Sequence, residues 1–386
     1  ELLETAHVFR TVGHAAYFGV QASAPTIEWG TTLARKQSII DQLVGGLSGL
    51  LKQRKVTVYN GKGSLGADRT VTVSGGESGE LTLQGKAVVL AAGSTTRSIP
   101  GFDVDGSVVM TSDEVLSMPK LPGSAVVIGG GAIGCEFASM MGDLGTKVTI
   151  LEALPQILNG CDADAAKVVE RSFKKRGITT RTGVMVNGHT PKPDGSGTTV
   201  HFGDGESVEV DAVVVSVGRR PFADLLGLEG TAVGVDERGF VQVDERCRTA
   251  EAGVWAVGDL VNTPQLAHVA FAEGMLAIRD ILGEEPAPLD HHGTPWCIYC
   301  NPEVAFAGHT EASATEAGFD VVSSKHHFVG NGRAKIVGDT DGIVKVIAEK
   351  RPDGTGGRIL GVHMVGPWVT EQLGQGYLAV NWEATV

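Results

Sequence analysis

A glycine-rich turn between two apolar strands is the clearest candidate for chemistry in this sequence. The turn reads Gly129-Gly130-Gly131-Ala132-Ile133-Gly134, a match to the pattern G-x-G-x-x-G. Glycines at these spacings allow a tight turn, a close approach of the backbone to a pyrophosphate, and close packing of the next helix on the strand. The N–H groups at the start of that helix can bind phosphate oxygens. The turn therefore predicts a dinucleotide site.

The acid that follows the turn indicates which dinucleotide is bound. Glu152 comes directly after a predicted strand at 147–151, where its carboxylate can accept hydrogen bonds from adenosine ribose hydroxyls. The same carboxylate would repel a 2′-phosphate, so we predict NAD(H) rather than NADP(H). A strand at 125–128 and an apolar helix at 135–144 stand in the required order around the turn. A glycine-rich turn that binds no ligand is the alternative.

Composition argues against several other classes of protein. The 386 residues are enough for two or three domains, and 42% of them are hydrophobic and 20% charged, as in globular enzymes. The formal net charge of -13 argues against a nucleic-acid partner. No apolar run reaches the length of roughly 18 residues that a membrane span needs. No metal site is predicted either.

The five cysteines are scattered and odd in number, unlike a disulfide framework. Such a set fits a reducing compartment, and we predict a cytoplasmic protein. The sequence starts without methionine, already inside a helical pattern, and stops without an end signal for its last helix, so we expect both ends to be truncated. The cysteines are Cys135, Cys161, Cys247, Cys297 and Cys300.

Apolar periodicity predicts strands and helices along most of the chain. Helices are expected at 1–14, from Thr26 to about Lys55, at 162–176 and at 266–282, and strands at 56–59, 70–74, 81–84, 87–92, 211–217 and 253–259, with a surface hairpin at 190–206. The wholly apolar run at 87–92 is typical of a buried parallel strand. Residues 293–386 alternate strands with short helices, which predicts a separate α+β domain.

Polar side chains follow two of the predicted strands. Ser94 lies just beyond the strand at 87–92, and Asp259 ends the strand at 253–259. Ligands bind at the carboxyl ends of strands in doubly wound sheets, so both residues are candidate ligand contacts. The alternatives are an ordinary turn at Ser94 and a helix cap at Asp259. His268, taken alone, is more often a cap or a packing residue than a ligand contact.

Taken together, these features resemble the flavoprotein disulfide reductases, or class I pyridine nucleotide-disulfide oxidoreductases, and within them most closely the dihydrolipoamide dehydrogenases. The motifs follow one another in the family order over nearly the whole chain. They are Ala92-Gly93-Ser94, the turn at 129–134, Gly218-Arg219-Arg220-Pro221, Gly258-Asp259, Leu266-Ala267-His268 and Asn301-Pro302-Glu303-Val304-Ala305.

The resemblance implies an α/β fold with two Rossmann-like nucleotide-binding domains and a C-terminal α+β dimerisation domain. The FAD-binding domain would be discontinuous and would comprise residues 1–119 and 249–290. The NAD-binding domain would comprise residues 120–248, and the dimerisation domain residues 291–386.

The resemblance also implies two sets of cofactor contacts. Asp259 would hold the ribityl chain of FAD, and Glu136 looks like the family glutamate that pairs with a lysine near the flavin. The FAD contacts would be Gly63, Ala92, Gly93, Ser94, Asp259, Gln265, Leu266, Ala267 and His268. The NAD contacts would be Gly129, Gly130, Gly131, Ala132, Ile133, Gly134, Cys135, Glu136, Glu152, Gly218 and, on a short Val-x-Gly match, Val186.

Several features of the family are missing from this sequence. They are the first G-x-G-x-x-G, the C-x-x-x-x-C redox disulfide with its lysine, and the C-terminal His-Pro-Thr with its glutamate. Cys297 and Cys300 do not replace the disulfide, because their flanks predict a strand that points the two side chains to opposite faces. Cys135, on the helix after the turn, is expected to be a packing residue. Thiol–disulfide exchange needs a thiolate and a partner sulfur, so we expect no lipoamide reduction by this chain, and weak FAD binding.

The implied function is oxidation of protein-bound dihydrolipoamide through a redox disulfide and FAD, with reduction of NAD. The implied partners are a second copy of the chain and the lipoyl domains of a 2-oxoacid dehydrogenase complex. One alternative is another member of the family, such as a mercuric reductase or a soluble transhydrogenase. The other alternative is a non-catalytic nucleotide-binding fragment.

Overall fold

The computed structural model describes residues 1–76 and 79–386 and shows a mixed α/β protein, as predicted. The helices are α1 (Leu2–Gly13), α2 (Trp29–Gln53), α3 (Ser112–Val115), α4 (Ala132–Asp143), α5 (Ala163–Lys175), α6 (Ala267–Ile281), α7 (Glu311–Glu316), α8 (Gly332–Val337) and α9 (Val369–Asn381). The helix predicted from Thr26 begins instead at Trp29, where the Glu28 carbonyl accepts the Thr31 and Thr32 N–H groups. No helix in the described ranges is long and apolar enough to cross a membrane.

The strands agree with most of the predicted ones. They are β1 (Lys62–Leu65), β2 (Thr70–Ser74), β3 (Leu81–Gln84), β4 (Val88–Leu90), β5 (Ser94–Thr96), β6 (Val109–Met110), β7 (Ser124–Ile128), β8 (Lys147–Glu152), β9 (Thr179–Thr182), β10 (Val186–Pro191), β11 (Thr198–Phe202), β12 (Glu206–Val210), β13 (Ala212–Val215), β14 (Arg219–Pro221), β15 (Val254–Ala256), β16 (Trp296–Ile298), β17 (Glu303–Gly308), β18 (Val321–His327), β19 (Ile343–Lys350) and β20 (Gly356–Gly366).

The strand predicted at 56–59 is wrong. These residues form an irregular segment between α2 and β1, with Val56 50% exposed and Val58 60% exposed. A strand needs a neighbour for its backbone N–H and C=O groups. No strand of the described residues pairs with this segment.

The chain forms two compact units. The first comprises residues 1–39, 97–218 and 292–386, and the second comprises residues 40–96 and 219–291. Residues 219–248, predicted as part of the NAD-binding domain, belong to the second unit. The assignment of cofactors to domains stays a prediction.

A five-stranded parallel sheet with the order β6-β13-β7-β8-β9 lies in the first unit. Its central strand β7 is covered on both faces. Val127 packs with residues of α4 and α5, whereas Val126 packs with Val200 and Phe202 of the β10-β11-β12 sheet. Alternate side chains of a strand point to opposite faces, so a wholly apolar strand is what this position requires.

The C-terminal part of the first unit contains an antiparallel sheet with the order β16-β17-β20-β19-β18. Helix α9 covers one face, where Leu373 packs against Ala305 and Val362. On the other face, Val304 and Ile343 join the core that also contains α4 and α5. The predicted α+β character of residues 293–386 is confirmed.

The second unit has smaller sheets in its described residues. They are antiparallel β1-β2-β3, the antiparallel pair β14-β5 and the parallel pair β15-β4. The prediction of a parallel strand at 87–92 is confirmed, since Val88 lies opposite Val254. The prediction that this strand is buried is wrong in part. Val89 is 36% exposed, whereas Leu90, on the opposite face of the strand, is buried.

Candidate functional site

The glycine turn after β7 has the backbone shape that its sequence predicts. Gly129 has a φ of 101°, and a side chain there would collide with the Ser216 carbonyl oxygen. A side chain at Gly134 would collide with the Gly129 carbonyl oxygen. Only glycine has no Cβ to meet these atoms. The two glycines therefore hold β7, α4 and the end of β13 close together.

Gly131 differs from these two glycines because it borders open space. A Cβ built on Gly131 meets nothing within 4 Å. Gly131 is also the N-cap of α4, and no side chain caps the first N–H groups of that helix. An anionic group can approach these N–H groups directly. This part of the turn fits the pyrophosphate of a dinucleotide.

Glu152 lies beside the turn at the end of β8 and is only 9% exposed. Its Oε2 atom accepts the Gly130 N–H at 2.6 Å, and its Oε1 atom accepts the Leu154 N–H at 2.8 Å. Each carboxylate oxygen has a further lone pair that a ribose hydroxyl could use. The structural role in bracing the turn was not predicted, and the ribose contact stays a prediction.

Gly218 and Val186 lie in different surroundings. Gly218 follows β13 at the same carboxyl edge as the turn, has a φ of 106°, and accepts the Arg97 N–H at 3.1 Å. Val186 starts β10 in the antiparallel sheet, close to the point where the Val184 N–H bonds to the Glu152 carbonyl. The structure thus brings Gly218 to the turn and places Val186 two residues after the contact of Val184 with Glu152.

The first turn of α4 carries the other predicted contacts. Ala132 and Ile133 are partly exposed at its start. Cys135 is fully buried, and its thiol donates to the Gly130 carbonyl at 3.3 Å. Its predicted packing role is confirmed, and any cofactor contact there would be through the backbone.

Glu136 links α4 to the C-terminal sheet. Its Oε1 atom accepts the Tyr299 backbone N–H at 2.9 Å. Burial raises the pKa of the Glu136 carboxyl, although this hydrogen bond opposes the rise. The contact joins residues far apart in sequence, and no local pattern predicts it. The flavin-side role of Glu136 stays a prediction.

A second candidate site lies in the second unit, at the carboxyl ends of β4 and β15. The Ser94 hydroxyl donates to Asp259 Oδ2 at 2.6 Å. Arg219 donates from Nε to Ser94 Oγ at 2.7 Å and from Nη2 to the Ser94 carbonyl at 2.8 Å. Ser94 and Asp259, both predicted as ligand contacts, therefore bond to each other, and Arg219, which was not predicted as a contact, bonds to Ser94. The signal was present, because Arg219 belongs to the motif Gly218-Arg219-Arg220-Pro221.

The remaining predicted FAD contacts surround this network or lie apart from it. Gly93 has a φ of 73°, and its carbonyl accepts the Phe222 N–H at 2.9 Å. Ala92 is exposed. Gly63 lies on β1, opposite Val73 in the three-stranded sheet, rather than at the edge formed by β4 and β15.

The segment just before α6 contains buried polar atoms that could bind a ligand. Gln265 Nε2 and Thr263 Oγ1 are buried and have no hydrogen-bond partner among the described residues. Such groups cost free energy unless something binds them. The neighbours Leu266, Ala267 and His268 form the N-terminal end of α6 and are partly or fully exposed. Together with Ser94 and Asp259, these groups fit a polar ligand such as the ribityl and phosphate parts of FAD.

The five cysteines, all within the described part of the chain, are free thiols. Burial raises the pKa of each of them, to about 12 for Cys161 and Cys247. Cys297 packs with the α9 side of the C-terminal sheet and Cys300 with the opposite core. The prediction that these two side chains point to opposite faces is confirmed.

Two sequence comparisons identify the family. The profile of the pyridine nucleotide-disulphide oxidoreductases matches residues 2–274, and the profile of the dimerisation domain of that family matches residues 294–386. The chain therefore belongs to the pyridine nucleotide-disulphide oxidoreductases. Its resemblance to flavoprotein disulfide reductases is confirmed, and with it an FAD- and NAD-dependent oxidoreductase class that acts on sulfur groups.

Relatives of the chain include several dihydrolipoyl dehydrogenases. The chain is 39% identical over 396 residues to the dihydrolipoyl dehydrogenase of Bacillus subtilis (strain 168), an alignment that covers 100% of the chain and 82% of that relative. It is 34% identical over 381 residues to the dihydrolipoyl dehydrogenase of Geobacillus stearothermophilus, which covers 98% of the chain and 80% of the relative.

The fold also matches a solved structure. The crystal structure of LpdA from Mycobacterium tuberculosis superposes with a TM-score of 0.89 and covers 99% of this chain and 82% of that one. The two sequences are 24% identical, so the match shows a shared fold.

Proposed function

We propose that this protein oxidises protein-bound dihydrolipoamide to lipoamide and reduces NAD. The observation that carries the proposal is the arrangement of the glycine turn, Glu152 and Gly218 at one edge of a parallel sheet. The identity of 39% to a dihydrolipoyl dehydrogenase over the whole chain supports this choice of substrate. When bound, FAD and NAD would supply the electron and hydride chemistry.

The residues of this chain would bind and orient the two cofactors. The N–H groups at the start of α4 would hold the NAD pyrophosphate next to Gly131, and Glu152 would accept the ribose hydroxyls. In the second unit, Asp259 and Gln265 would offer an acceptor and a donor to FAD. We propose that these contacts lie in the domains outlined from the sequence, residues 120–248 for NAD and residues 1–119 with 249–290 for FAD.

The cysteines of this chain do not suit the reaction with the dithiol of dihydrolipoamide. A reacting cysteine must form a thiolate, and all five thiols here have a raised pKa. We propose that the redox cysteines and the imidazole base lie outside these 386 residues. The chain alone is then expected to bind NADH without turning over lipoamide.

The partners follow from the same proposal. The match of residues 294–386 to a dimerisation domain supports a homodimer. We propose that the dimer serves the lipoyl domains of a 2-oxoacid dehydrogenase complex. The free thiols fit a reducing compartment, which supports the cytoplasm as its location.

The test compares electron acceptors with the full-length gene product. NADH oxidation is measured with lipoamide, with mercuric ion and with an NADP analogue as the acceptor. The proposal predicts that lipoamide gives the largest kcat/KM by at least tenfold. A larger value with mercuric ion or with the NADP analogue would overturn it in favour of another activity of the family.

A further inference from the structure

A single buried lysine in the first unit holds three carboxylates. The Lys345 side chain, on β19, is 2% exposed. Its ammonium donates to both oxygens of Asp162 at 2.9 and 3.0 Å, to Asp164 Oδ2 at 2.7 Å and to Glu311 Oε2 at 2.6 Å. A buried ammonium is tolerated only when its hydrogen bonds are satisfied in this way.

Lys345 and the three carboxylates stabilise one another's charged forms. Burial alone would lower the pKa of Lys345, but the hydrogen bonds to the carboxylates outweigh this effect and raise it. The hydrogen bond from Lys345 is the largest of the effects that bring the pKa of Asp164 down to about 2. Without Lys345, three negative side chains would face one another, and Lys325, bonded to Asp164 at 3.0 Å, would compensate this charge only in part.

One of these carboxylates leads directly to the glycine turn. Asp162 is the N-cap of α5 and accepts the Asp164 N–H at 3.0 Å. The segment 153–161 runs from Glu152 to Asp162. Within it, the Leu158 N–H donates to the Gly130 carbonyl at 2.7 Å, and the fully buried Ile157 lies against Gly130.

The segment is therefore fixed at both ends. Glu152 holds its first residues by accepting the Leu154 N–H. Lys345 holds Asp162, the residue at its far end, from a different sheet. Glu311 shares the same lysine but begins α7, which does not continue toward the turn.

We propose that Lys345 is a positioning residue for the nicotinamide dinucleotide site. It holds Asp162 in place and so presses segment 153–161 against Gly130, which keeps the turn and Glu152 in the geometry that binds the ligand. This inference rests on the proposed function of the turn as the NADH site. Through Asp162 and segment 153–161, the C-terminal sheet then takes an indirect part in cofactor binding.

The experiment measures NADH affinity by fluorescence titration of the 386-residue chain and of three variants. Lys345→Met is expected to raise the Kd about tenfold, because the uncompensated carboxylates push Asp162 away. Asp162→Asn keeps an N-cap for α5 but loses the ion pair, and it is expected to raise the Kd at least threefold. Glu311→Gln makes the same change on the same lysine and is expected to leave the Kd within twofold.

The pair Asp162→Asn and Glu311→Gln decides the outcome even where Lys345→Met does not fold. Thermal unfolding of each variant separates stability from affinity. An unchanged Kd for Asp162→Asn, or equal losses for both variants, would mean that Lys345 only stabilises the fold and would overturn the inference. Absence of NADH binding by the unmutated chain would instead overturn the proposed NADH site and, with it, this inference.

Discussion

Strands β7 and β4 are both short, apolar and followed by a turn that contains glycine, but the structure treats them differently. β7 has β13 and β8 as neighbours, and its Val126 is fully buried. β4 has only β15 among the described strands, and its Val89 is 36% exposed. Two strands with similar apolar sequences are thus covered on both faces in one unit and on only part of their surface in the other.

This difference indicates what holds the carboxyl edge of each sheet in place when no cofactor is bound. Beyond β7, the backbone of the turn is held by glycine contacts and by Glu152, whose oxygens accept two backbone N–H groups. Beyond β4, the backbone is held by the β14-β5 pair and by the Phe222 N–H on the Gly93 carbonyl, and the polar side chains that would meet FAD hold one another, Arg219 on Ser94 and Ser94 on Asp259. We therefore expect the NAD site to be formed in this chain and the FAD site to be more easily disturbed.

The largest expected effect comes from the glycine that packs α4 onto β7. Gly134→Ala places a methyl group against the Gly129 carbonyl oxygen. It is expected to destabilise the first unit by about 3 kcal/mol. Gly131→Ala is the matched control, since its methyl group enters open space and costs little stability but weakens NADH binding. Urea unfolding measures both, and equal stability losses would contradict the assignment of roles.

Truncation of the two valines tests the comparison directly. Val126→Ala removes two methyl groups from a fully buried site and is expected to cost about 2 kcal/mol. Val89→Ala, at a site that is 36% exposed, is expected to cost about 0.5 kcal/mol. Thermal unfolding followed by circular dichroism measures the difference. A Val89 variant as unstable as the Val126 variant would show that β4 is buried in solution.

Glu152→Gln is expected to act on both stability and ligand choice. The amide group cannot accept at both positions, so one of the N–H groups of Gly130 and Leu154 loses its partner at a cost of about 1–3 kcal/mol. NADH binding should weaken, and the preference for NADH over NADPH should shrink with the carboxylate charge. Parallel titrations with the two dinucleotides check this. An unmutated chain that binds both equally well would refute the role of Glu152 in selection.

The smallest effect is expected in the second unit. Arg219→Met releases Ser94 and weakens FAD binding by about 1 kcal/mol, the scale of a hydrogen bond, while NADH binding is unchanged. Arg220→Met is the control, because the Arg220 side chain pairs with the exposed Asp224 in a contact that contributes little. Flavin fluorescence quenching measures both variants. A loss of FAD binding in Arg220→Met as large as in Arg219→Met would refute the role of Arg219 in holding Ser94 for FAD.

Features that depend on neighbours in sequence were predicted well. The helix at 162–176, the strands at 70–74 and 81–84, and the glycine turn agree closely with the structure. Context matters even for a motif, because residues 61–66 also match G-x-G-x-x-G but form β1, which a short 3-10 turn and β2 follow instead of an α-helix. The pattern predicts a dinucleotide turn only between a strand and a helix.

Features that depend on distant residues could not be predicted. The exposure of Val89 depends on what packs on its face of β4, and apolar composition does not show this. Arg219 meets Ser94 across 125 positions of sequence, and Glu136 meets Tyr299 across 163. The buried Lys345 looks like an ordinary charged strand residue until the fold brings Asp162 to it.

We infer that the residues that would bind NAD are in place in this chain, whereas those that would bind FAD are incomplete. Parallel titrations of the purified 386-residue chain with NADH and with FAD, under the same buffer and salt, test it most directly. We predict saturable NADH binding with a Kd at least tenfold lower than that for FAD, and little flavin absorbance in the purified protein. Tight FAD binding without measurable NADH binding would overturn this inference.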